Sequence, residues 1–257
     1  MDLDEILASL KSGKITLPSA RKLLSLYSIE KIENFAKIDT GRKNRRGIPE
    51  VVFAEKKQFN EIKKIIQKTL KKSNSILISR LTTNDFKKIL SFSKKNKFKT
   101  HLGKNSTSIL IYKKSLKKNR GVVGILTAGT SDIGIAEEAR LMCEAMNCKC
   151  LSSYDVGVAG IHRVMPVLKD FIKNEVDSII VVAGMEGALA TLVSSCVNVP
   201  VIGVPTSVGY GYGEKGVAAL ASMLQSCALG LAVVNIDNGI GAGAMAASIA
   251  NRASRKN

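Results

Sequence analysis

Tryptophan is absent from this 257-residue chain, and aromatic residues make up only 5% of it. Proteins that bind single-stranded nucleic acid stack bases on aromatic side chains, so this scarcity argues against that class. The five cysteines are an odd number at irregular spacings, which argues against a disulfide framework and favours a reducing cytoplasm. The chain has no apolar run of about 18 residues and no apolar leader segment. We therefore expect neither a membrane span nor a secretory signal.

Positive charge is unevenly distributed along the chain, whose formal net charge is +18. Residues 1–120 carry 30 of the 39 Lys and Arg residues but only 10 of the 21 Asp and Glu residues. Such an excess either binds nucleic-acid phosphates or forms a solvated surface, and with so few aromatics we favour the solvated surface. Nucleic acid is therefore not an expected partner, although some basic side chains stay candidates for holding a small nucleotide. The change in charge near Gly121 predicts two domains, 1–120 and 121–257.

Short apolar runs alternate with helical patterns in the second half of the chain. Strands are predicted at 122–127, 148–152, 178–182, 201–204 and 231–235, and helices at 133–146, 162–174, 186–197, 215–225 and 244–254. This alternation predicts an α/β domain with a parallel sheet covered by helices on both faces. The first half predicts a smaller, basic α/β domain with short helices over 1–36, a basic loop at 38–50, strands at 51–54, 75–78 and 108–112, and helices at 58–71 and 84–92.

Ligands of parallel sheets bind at the carboxyl ends of the strands, so the loops there are candidate sites. The first loop, 128–132, contains Thr130, Ser131 and Asp132 at a helix start. These residues either bind an anion at the free backbone N–H groups or simply cap the helix. The fourth loop, 205–214, has glycines at alternate positions. They indicate a backbone pressed against a ligand or a second subunit, or else a flexible surface loop.

The second and third loops contain the side chains best suited to proton transfer. The second, 153–161, leads into His162, which either moves a proton near neutral pH or packs at the helix start. The third, 183–186, ends at Glu186 beside small residues. This carboxylate is either a base tuned by its surroundings or an acid that complements the helix dipole.

Two further features have more than one interpretation. The loop at 236–243 is similar to part of a dinucleotide-binding fingerprint, but its glycine spacing is wrong and no ribose-binding acid follows, so we favour close helix packing. Cys143, Cys148 and Cys150 are too closely spaced for a zinc site without further ligands. Cys227 ends a predicted helix, where a cysteine is either structural or a nucleophile.

Three segments resemble the carboxylase family that acts on aminoimidazole ribonucleotide, known as PurE. They are GTSD at 129–132, AGIHRVMP at 159–166 and AGMEGALA at 183–190. In that family the first segment holds a phosphate, and the other two surround the CO2 chemistry. The resemblance implies a flavodoxin-like, PurE-like C-terminal domain and a homo-oligomer between a dimer and an octamer.

A closer resemblance covers nearly the whole chain and is to the LarB family of nickel-pincer cofactor synthesis. It is carried by GRKNRRGIPEVVFAE at 41–55, DVGVAGIHRV at 155–164, VPVIGVPTSVGYGYG at 199–213, MLQSCA at 223–228 and VVNIDNGIGAG at 233–243. That family converts nicotinic acid adenine dinucleotide and CO2 or bicarbonate into pyridinium-3,5-biscarboxylic acid mononucleotide and AMP. The resemblance implies Mg²⁺ for cleavage of the phosphoanhydride, with no ligands identified, and no organic cofactor.

The LarB resemblance also implies roles for individual residues. Cys227 is the thiolate that adds to the pyridinium ring, Glu186 is the base, and His162 is a second proton carrier or an orienting group. The residues expected to contact the substrate are Thr130, Ser131, Asp132, Asp155, Gly160, Gly184, Ser207, Gly209, Arg42, Arg45 and Arg46. Two alternatives stay open: a PurE-type carboxylase or mutase of purine synthesis, and a non-enzymatic protein that binds a nucleotide or RNA.

Replacing Cys227 with Ala should abolish incorporation of labelled bicarbonate, because no thiolate then adds to the ring. Cys150→Ser should leave turnover nearly unchanged, which makes it the matched cysteine control. Label incorporation by purified variants with unchanged fold and oligomeric state measures both effects. An active Cys227→Ala protein would rule out the thiolate mechanism, and an inactive Cys150→Ser protein would revive the metal interpretation.

Overall fold

The computed structural model of the chain describes residues 3–24, 29–32, 36–39, 42, 47–116 and 121–254. The chain divides into two compact units. The N-terminal unit comprises residues 1–100 and 110–114, and the C-terminal unit comprises residues 101–109 and 115–257. Within the described ranges, no helix combines the length and the apolar character needed to cross a bilayer.

The N-terminal part of the chain combines helices with two small sheets. Its helices are α1 (Leu3–Lys11), α2 (Leu17–Leu24), α3 (Phe59–Lys72) and α4 (Thr83–Lys95). Its strands are β1 (Ile29–Ile32), β2 (Ala36–Asp39), β3 (Val51–Phe53), β4 (Ser75–Ser79), β5 (Lys99–Leu102) and β6 (Ile109–Tyr112). Strands β1 and β2 form an antiparallel pair, and the other four form a sheet in the order β3-β4-β6-β5.

The predicted secondary structure of this part is correct for its longer elements and wrong for its shortest ones. Helices α3 and α4 confirm the two predicted helices, and α4 begins after Thr82, whose hydroxyl accepts a hydrogen bond from the Asp85 backbone N–H at 3.1 Å. Residues 29–32 are a strand, so the prediction of helices over 1–36 is wrong there, and the strand at 36–39 extends into the predicted basic loop at 38–50. Four residues are too few to distinguish a period of 2 from one of 3.6. Strand β5 was not predicted because Lys99–Leu102 contains a single apolar residue.

The C-terminal unit is built on a five-stranded, all-parallel sheet. Its strands are β7 (Val122–Thr127), β8 (Lys149–Ser153), β9 (Ser178–Ala183), β10 (Val201–Pro205) and β11 (Leu231–Val233). Its helices are α5 (Ile133–Ala145), α6 (Ile161–Lys173), α7 (Ala188–Cys196), α8 (Val217–Leu224) and α9 (Gly239–Ala253). The strands lie in the order β11-β10-β9-β7-β8 and all pairs are parallel. This order confirms the predicted flavodoxin-like α/β fold.

Helices cover both faces of this sheet, which explains why its central strands are apolar throughout. On one face Ile179 and Val181 of β9 belong to a buried cluster with Phe171 of α6 and Val193 of α7. On the other face the Ser178 hydroxyl donates a hydrogen bond to a carbonyl oxygen of α9 at 3.2 Å. Each fully buried Ile, Val or Phe side chain contributes about 1.5–3 kcal/mol to stability. The core therefore fixes the strand ends from which the loops emerge.

Helix α9 begins five residues before its predicted start, and its glycines explain why. Gly239 and Gly243 face α5, where a Cβ at Gly239 would clash with the Ile135 carbonyl and one at Gly243 would lie 2.5 Å from the Ala139 carbonyl oxygen. Glycine disfavours a helix by about 1 kcal/mol, so the local sequence resembles a loop, and packing against α5 overrides that preference. The interpretation of this glycine segment as close helix packing is confirmed, between helices of the same chain.

Candidate active site

The carboxyl ends of β7 and β9 form the switch point of the parallel sheet. These strands are neighbours, but the chain leaves β7 for α5, which packs with α9, and leaves β9 for α7 on the opposite face. Loops that diverge in this way leave a crevice between them, and flavodoxin-like proteins bind their ligands there. Residues 128–132 and 184–187 border this crevice.

Asp132 connects the loops around the crevice through a buried carboxylate that is only 2% exposed. One carboxylate oxygen accepts a hydrogen bond from the Gly129 backbone N–H at 2.9 Å, and the other accepts one from the Thr206 hydroxyl at 2.7 Å. Burial raises the pKa of Asp132 above its ordinary value of 3.8, while hydrogen bonds from Thr206, Gly129 and the Gly184 backbone act in the opposite direction. Nearby Asp237 adds a smaller upward effect. Asp132 therefore holds three loops together, and its predicted contact with the substrate stays a prediction.

The second loop is held by main-chain and guanidinium hydrogen bonds. The Asp155 N–H donates to the Thr127 hydroxyl at 3.0 Å, and Arg163 donates to the Asp155 carbonyl at 2.9 Å. Gly160 lies beside the end of the Arg163 side chain, which would have to shift to make room for a Cβ at this position. His162 is in the first turn of α6 and its side chain is exposed. The structure thus places Asp155 and Gly160 in the framework of this loop and leaves the imidazole open to a ligand.

The third loop presents Glu186 on a tightly packed turn. A side chain at Gly184 would clash with the Val208 carbonyl and lie 2.7 Å from the Thr206 hydroxyl oxygen. Met185 donates its backbone N–H to that same carbonyl at 2.9 Å and adopts φ 51°, which is uncommon for its residue type. Helix α7 begins at Ala188 rather than at Glu186, so the Glu186 carboxylate lies in the turn before the helix and is exposed.

The fourth loop is linked to the end of β11 by a reciprocal pair of hydrogen bonds. The Ser207 N–H donates to the Asp237 carboxylate at 2.9 Å, and the Asp237 N–H donates to the Pro205 carbonyl at 2.9 Å. Gly209 approaches the backbone of Met185, with a Cβ position 3.7 Å from that nitrogen. Of the alternate glycines, only Gly209 lies beside the third loop; Gly211 adopts φ 71°, and a Cβ at Gly213 would clash with Ala218.

Thr206 and Asp237 organise the site, and the sequence analysis did not single them out. Thr206 directly follows the buried strand β10, and Asp237 follows β11 after a short turn. A hydroxyl or carboxylate side chain shortly after a predicted parallel strand could have identified both residues as candidates. Nothing local in the sequence shows that their partners would be Asp132 and Ser207, which are far away along the chain.

Several predicted ligand-binding side chains are exposed at the carboxyl edge of the sheet. They are Thr130, Ser131, His162, Glu186 and Ser207. Thr130 and Ser131 lie in a short 3₁₀ turn that leads directly into α5, whose first backbone N–H groups attract anions. The arrangement offers hydroxyls, helix-start N–H groups, an imidazole and a carboxylate. Those groups suit a phosphorylated substrate whose reaction needs proton transfer.

Cys227 lies in a segment whose last residue, Gly230, is at the amino edge of the sheet. Its thiol is exposed in the segment 225–230 between α8 and β11. The Ser226 hydroxyl lies 2.9 Å from that of Thr191 in α7, and the Gly230 carbonyl accepts from the Val201 N–H at the amino end of β10. The segment therefore enters the sheet at the edge opposite to Glu186. Across the described ranges, no hydrogen bond joins 225–230 to the loops that carry Glu186 and His162.

Of the three arginines predicted to contact the substrate, one lies within the described residues. Arg42 belongs to the N-terminal unit, where its guanidinium lies 3.8 Å from the Glu50 carboxylate. Arg45 and Arg46 fall outside the described residues. The predicted contacts of all three arginines with the substrate remain predictions.

The described residues do not fit a dedicated Mg²⁺ site. Among them, no group of three or more His, Cys, Asp or Glu side chains is arranged to hold a metal ion. Asp132 has both carboxylate oxygens engaged with Gly129 and Thr206. Mg²⁺ is commonly held by one or two carboxylates together with substrate phosphates, which is a different arrangement from a cluster of protein side chains. The reaction proposed below therefore contains no step through a protein-bound metal.

Both parts of the chain match known protein families. The family described as the LarB/PurE-like N-terminal domain matches residues 29–112, and the family described as AIR carboxylase matches residues 122–256. An uncharacterized protein of Methanocaldococcus jannaschii is 44% identical over 253 residues, which cover 97% of each chain. The N5-carboxyaminoimidazole ribonucleotide mutase of the same organism is 30% identical over 130 residues, 50% of this chain and 78% of its own. The corresponding mutase of Thermotoga maritima is 30% identical over 132 residues, 49% of this chain and 73% of its own.

The parallel sheet, its switch-point crevice and these matches define a carboxylase-type enzyme domain of the PurE kind at 122–256. The N-terminal match at 29–112 distinguishes the chain from PurE proteins that lack such a domain. The chain belongs to the LarB family, with a PurE-like C-terminal domain.

The raised pKa of Asp132 predicts a pH-dependent contribution to stability. Because the folded protein holds this proton more tightly than the unfolded chain, the contribution is fully present below pH 3.8 and is lost as pH rises through the folded-state pKa. Asp132→Asn removes the titration, while its amide can still accept from Gly129 and donate to the Thr206 hydroxyl. Urea unfolding from about pH 3.5 to pH 7 should show wild type losing stability relative to Asp132→Asn as pH rises.

Asp170→Asn, at an exposed carboxylate of α6, is the control, and its difference from wild type should not follow this trend. A wild-type advantage over Asp132→Asn that stays constant or grows with pH would contradict burial as the dominant influence on Asp132.

Proposed function

We propose that this protein carboxylates the pyridinium ring of nicotinic acid adenine dinucleotide with CO2 or bicarbonate. It then hydrolyses the phosphoanhydride, giving pyridinium-3,5-biscarboxylic acid mononucleotide and AMP, the first step of nickel-pincer cofactor synthesis. The single observation that carries this proposal is the exposed Cys227 thiol in a LarB chain whose carboxylase-type domain otherwise resembles PurE. A PurE substrate already carries an amino group that donates electrons to its ring, whereas a pyridinium ring needs an external electron source.

The thiolate provides that electron source and is regenerated in each cycle. The Cys227 thiolate adds to ring carbon 4, forming a carbon–sulfur bond and a neutral dihydropyridine. Carbon 5 then has enamine character and attacks CO2, forming the new carbon–carbon bond. A base removes the proton from carbon 5, and the electron pair of that C–H bond restores the aromatic ring as the carbon–sulfur bond breaks. Water then attacks phosphorus, and AMP leaves.

The carboxyl edge of the sheet supplies the remaining groups. Glu186 is exposed on a turn held by the Met185–Val208 hydrogen bond, and on our proposal its carboxylate takes the carbon 5 proton. His162 is the second proton carrier or orients the substrate. Thr130 and Ser131 offer hydroxyls beside the start of α5, where substrate phosphate gains from the helix dipole.

We propose that two copies of the chain share each site, and the position of Cys227 supports this proposal. Its segment enters the sheet at the edge opposite to Glu186, so on our proposal the thiol serves the crevice of a second copy. Leu224 and Leu229, on either side of Cys227 in sequence, are 67% and 94% exposed, and Tyr210 beside the crevice is 79% exposed. Large exposed apolar side chains around a reactive group mark a surface that a partner covers, and a second copy both covers them and completes the site.

The mutases named above support a second candidate, a carboxylase or mutase acting on aminoimidazole ribonucleotide. Their identity to this chain is confined to about half of it, whereas the match to the M. jannaschii protein extends over both domains. That candidate assigns no role to the N-terminal domain or to Cys227. We therefore prefer the pyridinium substrate.

Incubating purified full-length protein with nicotinic acid adenine dinucleotide and ¹³C-bicarbonate tests the choice of substrate. We expect a labelled biscarboxylated mononucleotide and an equal amount of AMP, both read by mass spectrometry. Glu186→Gln should lower the rate at least about a hundredfold, because proton removal by a positioned base contributes about 10²–10⁴-fold. Glu175→Gln, at another exposed carboxylate, should leave the rate unchanged. Label entering aminoimidazole ribonucleotide but not the dinucleotide would overturn the proposal.

A further inference from the structure

The N-terminal unit contains a groove that the proposed reaction does not use. Its volume is about 610 Å³, and it lies beside α3, the end of α4 and the end of β6. Its charged and apolar lining residues are Lys64, Lys68, Lys71, Lys113, Leu70 and Phe98. We call it the lysine groove. All of these residues belong to the N-terminal unit, so the groove is complete without the crevice of the PurE-like domain.

The groove concentrates positive charge on one side of α3. Lys64, Lys68 and Lys71 are spaced by four and three residues, so they lie on one face of the helix. Lys113 approaches from the end of β6. The groove lining contains no Asp or Glu, and no salt bridge recorded among the described residues uses Lys68, Lys71 or Lys113. Ammonium groups at these spacings repel one another, so an anion between them relieves the repulsion.

The groove also has an apolar floor. Leu70 is 2% exposed, and half-buried Phe98 contacts Phe92 edge to face with ring centroids 6.3 Å apart. That contact restrains the Phe98 ring beside the lysines. Lysine stems are apolar while their tips stay charged, so the groove joins an apolar slot to a cationic rim.

The two kinds of lining together define the ligand. An inorganic anion would use the lysines but not the aromatic ring. A single strand of RNA would need several rings, because its successive bases each stack on one, and this groove has one. One ring beside a cluster of ammonium groups matches one base joined to one phosphate.

We propose that the lysine groove binds the nucleoside monophosphate group, either as free AMP or as the nucleotide half of a dinucleotide. The base lies against Phe98, and the phosphate lies among Lys68, Lys71 and Lys113. Every residue of the site belongs to the N-terminal unit. The binding stands whether or not the chain carboxylates a pyridinium ring.

Calorimetric titration of the full-length chain with AMP at low salt tests this site. Wild type should bind AMP saturably and at least about tenfold more tightly than inorganic phosphate, because stacking adds to the charge attraction. Lys68→Gln combined with Lys71→Gln should weaken AMP binding at least about tenfold. Phe98→Leu keeps an apolar side chain but removes the ring, and it should weaken binding of AMP without weakening binding of inorganic phosphate.

The matched control is Lys87→Gln combined with Lys94→Gln, an equal loss of charge at exposed lysines of α4 that do not line the groove. It should leave AMP affinity within about twofold of wild type. Equal weakening by both lysine pairs would overturn the site, as would unchanged AMP binding in the Lys68/Lys71 variant or equal affinity for AMP and phosphate. Tight, steeply salt-dependent binding of an RNA oligonucleotide in place of AMP would also overturn it. Loss of carboxylation with intact AMP binding would count against the proposed function alone.

Discussion

The Asp132 carboxylate is buried among loops that follow three different strands, and the geometry of the crevice depends on it. It accepts hydrogen bonds from Gly129 after β7, from Gly184 after β9 and from Thr206 after β10. A carboxylate in this position is costly to bury unless its oxygens are paired, so the three loops have one favoured arrangement. The exposed side chains of Thr130 and Glu186 are held on loops of that arrangement. The buried Asp132 carboxylate thus positions the loops that carry the exposed Thr130 and Glu186 side chains.

The fold of the C-terminal unit could be predicted because the sequence patterns of its strands and helices are local. Each of its central strands is a short apolar run buried on both faces, and each run is separated from the next by a helical pattern. The boundaries were less accurate where packing overrides local preference, as at Gly239, where α9 begins within a glycine-rich segment. The hairpin at 29–32 and 36–39 was missed because its strands are too short to show a period.

The candidate site was predictable at the level of loops but not at the level of contacts. Strand ends located segments that lie at the carboxyl edge of the sheet, where the side chains of Thr130, His162 and Glu186 are exposed. The bond between Asp132 and Thr206 joins residues 74 positions apart, and no pattern in a single sequence indicates it. The same limit applies to Cys227, because its assignment to the opposite edge of the sheet follows only from the chain topology.

On our proposal, Cys227 and Glu186 act in one reaction from two copies of the chain, and mixing two inactive variants tests this most directly. Cys227→Ala and Glu186→Gln proteins, differently tagged, are combined in equal amounts, and subunit exchange is verified by co-purification through both tags. Incorporation of labelled bicarbonate into the dinucleotide should then rise from near zero to about a quarter of the wild-type rate, because about a quarter of shared sites contain both intact groups. A mixture that has exchanged subunits but stays inactive, beside an active wild type, would contradict a site shared between chains.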